Sequence, residues 1–106
     1  MVKRGEVWLA SLDPTVGSEI RKTRPCLVIS PAEIHDYLRT VIVAPMISAS
    51  RPAGYRIPVT FAGKDGLVRA EQVRSIDRRR LVKRLGEVPA PVLSSVLRVM
   101  REIYEE

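Results

Sequence analysis

One cysteine, one histidine, one tryptophan and one phenylalanine are all that the 106 residues hold of those four types. The lone Cys26, between Pro25 and Leu27, cannot form an internal disulfide and supplies too few ligands for a metal. Its apolar neighbours suit a small buried hydrophobe, the alternative being a reactive thiol. The lone His35 rules out acid–base catalysis by two imidazoles, and its polar segment PAEIHDYLR reads as a loop. Glu19, Glu71 and Asp77 lie too far apart for a metal-carboxylate signature, so neither a metal nor any other cofactor is expected. With so few rings, a broad base-stacking platform is excluded. No apolar run approaches the roughly 20 residues of a membrane span. Met1-Val2-Lys3-Arg4-Gly5 opens no signal peptide, so the expected compartment is the cytoplasm, with no membrane partner.

Acidic residues are also in short supply. Twelve Asp and Glu face eighteen Lys and Arg, and the net charge of +6 favours polyanionic partners. The excess is clustered: Arg69, Arg74, Arg78, Arg79, Arg80, Lys83 and Arg84 stand against only Glu71 and Asp77, and Arg21, Lys22 and Arg24 form a second group. A solvated surface that keeps a small protein soluble is the plainer reading of both.

What the chain does hold is strands. A length of 106 residues makes one domain, 1–106, able to bury about 60 to 70% of its unfolded surface. GEVWLASL alternates until Asp13-Pro14 breaks it, and PCLVIS is a short apolar run that Pro25 can begin. RTVIVAPMI is nearly continuous in apolar residues and reads as a central strand buried on both faces. YRIPVTF and GLVRAEQVRSI follow, joined by a hairpin whose signal is Asp65-Gly66. Up to residue 77 every strand is expected beside its sequence neighbours. After Pro89 the period changes, and Val92, Leu93, Val96, Leu97, Val99, Met100, Ile103 and Tyr104 share one helical stripe. The expected architecture is mainly β in an α+β sense: a small curled antiparallel sheet or barrel with a C-terminal amphipathic helix on its side.

VKRGEVWLASLDPTVGSE, RPCLVIS, TVIVAP and LVRAEQVRSIDRRRL, in that order along nearly the whole chain, resemble the MazF/PemK family of toxin endoribonucleases. The resemblance implies an SH3-like barrel and a homodimer. It also implies metal-independent, sequence-specific cleavage of single-stranded RNA, and neutralisation by a cognate antitoxin whose acidic tail suits a basic groove. Arg24 matches the family's catalytic arginine. The residue before a proline is pushed out of the helical region, so Arg24 has an extended, fixed root. Cleavage by RNA's own 2′-hydroxyl passes through a phosphorane with extra negative charge, and a guanidinium fork can meet two of its oxygens. Charge stabilisation therefore suits Arg24 better than proton transfer. Glu19, Lys22, Thr23, Arg69 and Gln72 are carried over as candidate RNA-binding residues.

The family's second catalytic residue is a threonine after the third strand, in a pattern close to Val-Ala-Pro-hydrophobic-Thr-Ser. Here the stretch is Val43-Ala44-Pro45-Met46-Ile47-Ser48, and Ile47 stands where the threonine belongs. A branched hydrocarbon has the right shape and no hydrogen bond to give. Ser48 is the possible substitute; on a continuing strand it would point to the other face, and a bulge or loop would bring it round. The chain is therefore expected to cleave poorly. Two other readings stand beside this one: a non-catalytic relative that binds RNA or antitoxin, and a CcdB-like gyrase inhibitor. The gyrase contact of that second family involves a C-terminal tryptophan, which the ending Met100-Arg101-Glu102-Ile103-Tyr104-Glu105-Glu106 lacks.

Overall fold

The computed structural model describes residues 1–12, 23–48 and 54–106. Their elements run β1 (Glu6–Ser11), β2 (Thr23–Val28), a one-turn helix α1 (Ala32–His35), β3 (Thr40–Ile47), β4 (Arg56–Phe61), β5 (Lys64–Arg69), β6 (Arg74–Asp77), β7 (Leu81–Glu87) and α2 (Ala90–Tyr104). The strands form one curled antiparallel sheet in the order β4-β5-β3-β2-β1-β7, with β6 also paired to β3. This is the mainly β architecture with a C-terminal helix that the residue pattern predicts.

β3 is central, as its apolar run predicts. Ala44 and Met46 face a core shared with Val7, Leu27, Val68 and the helix residue Val96. Val41 and Val43 face a second core with Ala10, Cys26, Val28 and Ile76. Alternate residues of one strand thus enter opposite cores, the period-two rule applied to a strand covered on both sides. On α2, Pro91 sits in the first turn, where its missing N–H costs nothing. Val92, Leu93, Leu97, Val99, Met100 and Ile103 pack beside Val96, whereas Tyr104, expected in the stripe, is exposed.

Five sequence expectations are corrected. GLVRAEQVRSI is not one strand: a 3₁₀ turn at Ala70–Gln72 separates β5 from β6. β5 pairs with Met46 and Ile47, and β6 with Thr40 to Val43, so the break falls beside Ala44-Pro45, where proline has no N–H for a ladder. Pro25 lies inside β2, opposite Leu9, rather than at its start. Asp65-Gly66 is not the turn but part of β5; the chain reverses at Ala62-Gly63, both at positive φ, 52° and 77°, as a two-residue hairpin with matching twist requires. Strand order up to residue 77 is not all local either: β3 pairs with β5 and β6 and not with its sequence neighbour β4. β7, hidden in a stretch that reads as basic surface, pairs with β1 from the other end of the chain, and His35 is buried on α1 rather than in a loop, its Nε2 3.1 Å from the Ser30 carbonyl oxygen.

The β1–β7 seam is fixed by a buried carboxylate. Glu6 is only 6% exposed, and it accepts from Arg84 Nε at 2.7 Å, Trp8 Nε1 at 3.1 Å and the Lys3 backbone N–H at 2.8 Å. Burial pushes its pKa up, but those donors and the Arg84 charge outweigh burial and hold it below the ordinary value of 4.5. Next to it, Gly5 at φ 93° donates to the Val28 carbonyl at 2.8 Å and accepts from Val88 N–H at 3.0 Å, tying β2 to the approach to α2.

Two outcomes follow. A carboxyl whose folded pKa is depressed stabilises the fold above its unfolded pKa, and that stability is lost as pH falls through the folded value. Glu6→Gln should cost about 1 to 3 kcal/mol at neutral pH, and its denaturation midpoint should fall less than the parent's below about pH 5; parallel curves would contradict the assignment. At the hairpin, Ala62→Asn relieves a left-handed alanine and should gain about 0.5 kcal/mol, read as a rise of about 2 to 4 °C in Tm by calorimetry.

Candidate active-site cleft

β2 and β3 pair Val28 with Val43, Leu27 with Ala44 and Cys26 with Pro45. Continuing that register places Arg24 opposite Ile47, two strands' ends meeting where β3 turns from β2 toward β5. The two residues line one open cleft of about 330 Å³. Its floor is apolar: Pro25, Met46, Ile47, Val59, Phe61 and Leu85. Its polar groups are Arg24, Ser48, Lys64 and Asp65. β3 ends at Ile47, so Ser48 is free of the strand's alternation and lines the cleft on the same side as its neighbour.

The cleft's wall is a close backbone approach. A Cβ added to Gly66 would fall inside contact distance of the Ile47 carbonyl oxygen, so only glycine lets β5 run this near β3. Across the cleft, the Phe61 ring lies over Gly86, whose added Cβ would stand 3.1 Å from Phe61 Cζ. The hairpin β4–β5 is thereby folded against β7, which brings Leu85 to the rim.

Electrostatics divide the cations into two sets. Asp65 accepts from Thr60 Oγ1 at 2.7 Å, while Arg24 and Lys64 have no carboxylate or carbonyl partner among the described residues. Most of the sequence's basic cluster is instead committed to the fold. Arg74 donates to the Leu12 carbonyl at 3.2 Å, Arg80 to the Ser11 carbonyl at 3.4 Å and Arg78 to the His35 carbonyl at 2.9 Å. Arg84 holds Glu6, and Arg79 holds Asp77.

The other candidates fall in three places. Thr23 is the exposed first residue of β2, opposite Ser11 and next to Arg24. Arg69 lies on β5 outside the cleft lining; with Arg56 it grips Glu71, at 3.1 Å from each, and Gln72 follows, half-buried on the 3₁₀ turn. Glu19 and Lys22 lie outside the described residues. Among the described residues no three acidic, histidine or cysteine side chains converge as metal ligands, and no helix is long and apolar enough to cross a membrane. Lys64, Phe61 and Leu85 escaped the sequence reading. β7 shows no apolar alternation that could have found Leu85, whereas counting the hairpin from Ala62-Gly63 would have put Lys64 on a strand.

A curled antiparallel half-barrel with a flanking helix and an arginine at the head of β2 defines a recognised class. Residues 3–104 match the model of the PemK-like, MazF-like toxin of type II toxin-antitoxin systems, and the chain belongs to that family. It is 40% identical over 102 residues to Endoribonuclease PemK of Escherichia coli, an alignment covering 91% of this chain and 77% of the relative. MazF of Deinococcus radiodurans shares the fold at a TM-score of 0.86 and 28% identity, covering 96% of this chain and 94% of that one. The MazE–MazF structure from the same organism aligns at 0.79 and 25% identity, over 96% and 93%.

Cys26, next to Arg24's proline, is buried and donates weakly to the Arg24 carbonyl at 3.5 Å. Burial pushes its thiol up to about 12, against a smaller downward pull from Arg74. The folded protein should therefore resist iodoacetamide at pH 8 and react only on unfolding; rapid native labelling, followed by mass, would contradict this.

Proposed function

We propose that this chain is the toxin of a type II toxin-antitoxin pair, an endoribonuclease that holds single-stranded RNA in the Arg24 cleft and cuts it without a metal. The observation that carries the reading is the meeting of Arg24 with positions 47 and 48 in one cleft. In the reaction the RNA's 2′-oxygen forms a new bond to phosphorus and the 5′-oxygen leaves, with the proton passing from the first to the second through solvent. Negative charge builds on the non-bridging oxygens between these events. Arg24, unpaired among the described residues, is placed to meet that charge, and the apolar floor suits an unstacked base.

Position 47 sets the rate. Ile47 fills the family threonine's place with a side chain that has neither donor nor acceptor, and we assign to it slow cleavage rather than loss of binding. Among the described lining residues, Ser48 is the one hydroxyl able to substitute. The family resemblance adds two partners to the proposal: a second copy of the chain in a homodimer, and an antitoxin whose acidic segment competes for the basic cleft. The MazE–MazF likeness supports the antitoxin, and cytoplasmic RNA is the matching substrate.

The experiment is cleavage of a long mixed-sequence single-stranded RNA, in chelator, by the chain as given, Ile47→Thr, and Ile47→Thr with Arg24→Ala. Restoring one hydrogen bond to a developing charge should speed cleavage by about 10²- to 10³-fold. The double variant should be silent while folded by circular dichroism. A given chain that already cuts as fast as Ile47→Thr would move the role to Ser48. No cleavage by either, with RNA still bound, would favour the non-catalytic binding reading.

A further inference from the structure

Arg39, Asp77, Arg78 and Arg79 line a second open hollow of about 310 Å³. It lies at the opposite end of β3 from the cleft: Thr40, the first residue of β3, pairs with Asp77, while the cleft begins at Ile47. Seven strand steps at about 3.3 Å separate the two by about 23 Å along the strand.

Three guanidiniums stand around one carboxylate there, and two of them, those of Arg78 and Arg79, are held by hydrogen bonds. Arg79 donates Nε and Nη2 to the two oxygens of Asp77 at 3.1 and 3.3 Å, and its backbone N–H to Oδ1 at 2.8 Å. Its fork, 86% exposed, is thus held in orientation at the edge of the hollow. Arg78 is pinned from both ends, its N–H on the Arg39 carbonyl at 2.7 Å and its Nη1 on the His35 carbonyl at 2.9 Å. His35 is itself buried against Ser30, which fixes the turn from below. Asp77 is taken by Arg79, so Arg39 and Arg78 are left without a carboxylate among the described residues. The pinned guanidiniums of Arg78 and Arg79, at a solvent-open hollow, lose little freedom on meeting a phosphate, and Arg39 adds a third charge beside them.

We infer that this hollow is a second contact for the phosphate backbone of single-stranded RNA, about 23 Å from the reacting centre, an inference resting on the reading of the cleft as an RNA site. Backbone contacts fix register and affinity without reading sequence. The hollow therefore acts on RNA long enough to span both sites and leaves short RNA untouched.

The test compares Arg39→Gln with Arg79→Gln, as a double variant, against the charge-matched Arg98→Gln with Arg101→Gln on the exposed side of α2. The probes are labelled single-stranded RNAs of about 4 and about 16 nucleotides, titrated from low to physiological salt, with Arg24→Ala measured alongside. The hollow variant should weaken the long RNA at least tenfold and flatten its salt slope by about 1.4, from two contacts at about 0.7 each. The short RNA should bind as before, and the α2 control should match the parent on both. Equal losses on short and long RNA, equal losses in the α2 control, or no loss at all would each overturn the inference. If Arg24→Ala alone abolishes binding of the short RNA while the hollow variant changes nothing, the cleft stands and the hollow fails. If Arg24→Ala changes neither RNA while the hollow variant weakens the long one, the hollow stands and the cleft reading fails. No binding of either RNA by the unaltered chain overturns both.

Discussion

Along one edge of β3, β6 takes Thr40 to Val43 and β5 takes Met46 and Ile47; along the other, β2 takes Val43 to Pro45. Both faces are also covered, by separate cores. A strand paired on two edges and covered on two faces cannot shift register without moving every apolar side chain to the wrong side. The positions at its ends inherit that rigidity. Arg24 and Ile47 meet because β2 and β3 share a ladder, and Asp77 meets Arg39 because β3 and β6 share another. Chemistry at this scale needs groups held to fractions of an ångström, and strand ends deliver that better than free loops do.

The charge of the chain serves two purposes that composition alone cannot separate. Arg74, Arg78 and Arg80 cap backbone carbonyls, and Arg84 neutralises the buried Glu6. Their heads supply donors to those carbonyls and to the buried carboxylate. Arginine suits this better than lysine because its planar fork can bond a carbonyl and still keep donors for solvent. The net positive field remains, whichever partner each guanidinium has, so cations that build the fold also draw phosphate from a distance.

The sequence made the broad plan readable where a physical period was long and uninterrupted. β3 announced itself by continuous apolar residues, and α2 by its stripe. β7 was hidden because Val82, Lys83, Arg84 and Leu85 are all exposed, and a strand at a sheet edge needs no apolar alternation to exist. The split between β5 and β6 was equally invisible, since its position depends on a partner strand far away in sequence. Asp65-Gly66 misled because Gly66 answers a steric demand from Ile47 rather than a turn. The cleft was half legible: a proline-fixed arginine and the isoleucine at position 47 could be found in the letters, whereas Lys64, Phe61 and Leu85 came together only through the curl of the sheet.

The backbone contact at Gly66 has a consequence for how such a site changes over generations. Because glycine is required opposite the carbonyl of residue 47 and not opposite its side chain, the main chain there is locked while the side chain faces open space in the cleft. Isoleucine and threonine share a branched Cβ that suits the same extended backbone, and their codons differ by one base. Passage between a hydrocarbon and a hydroxyl at this position can therefore occur in one mutational step, with no intermediate that must first survive misfolding.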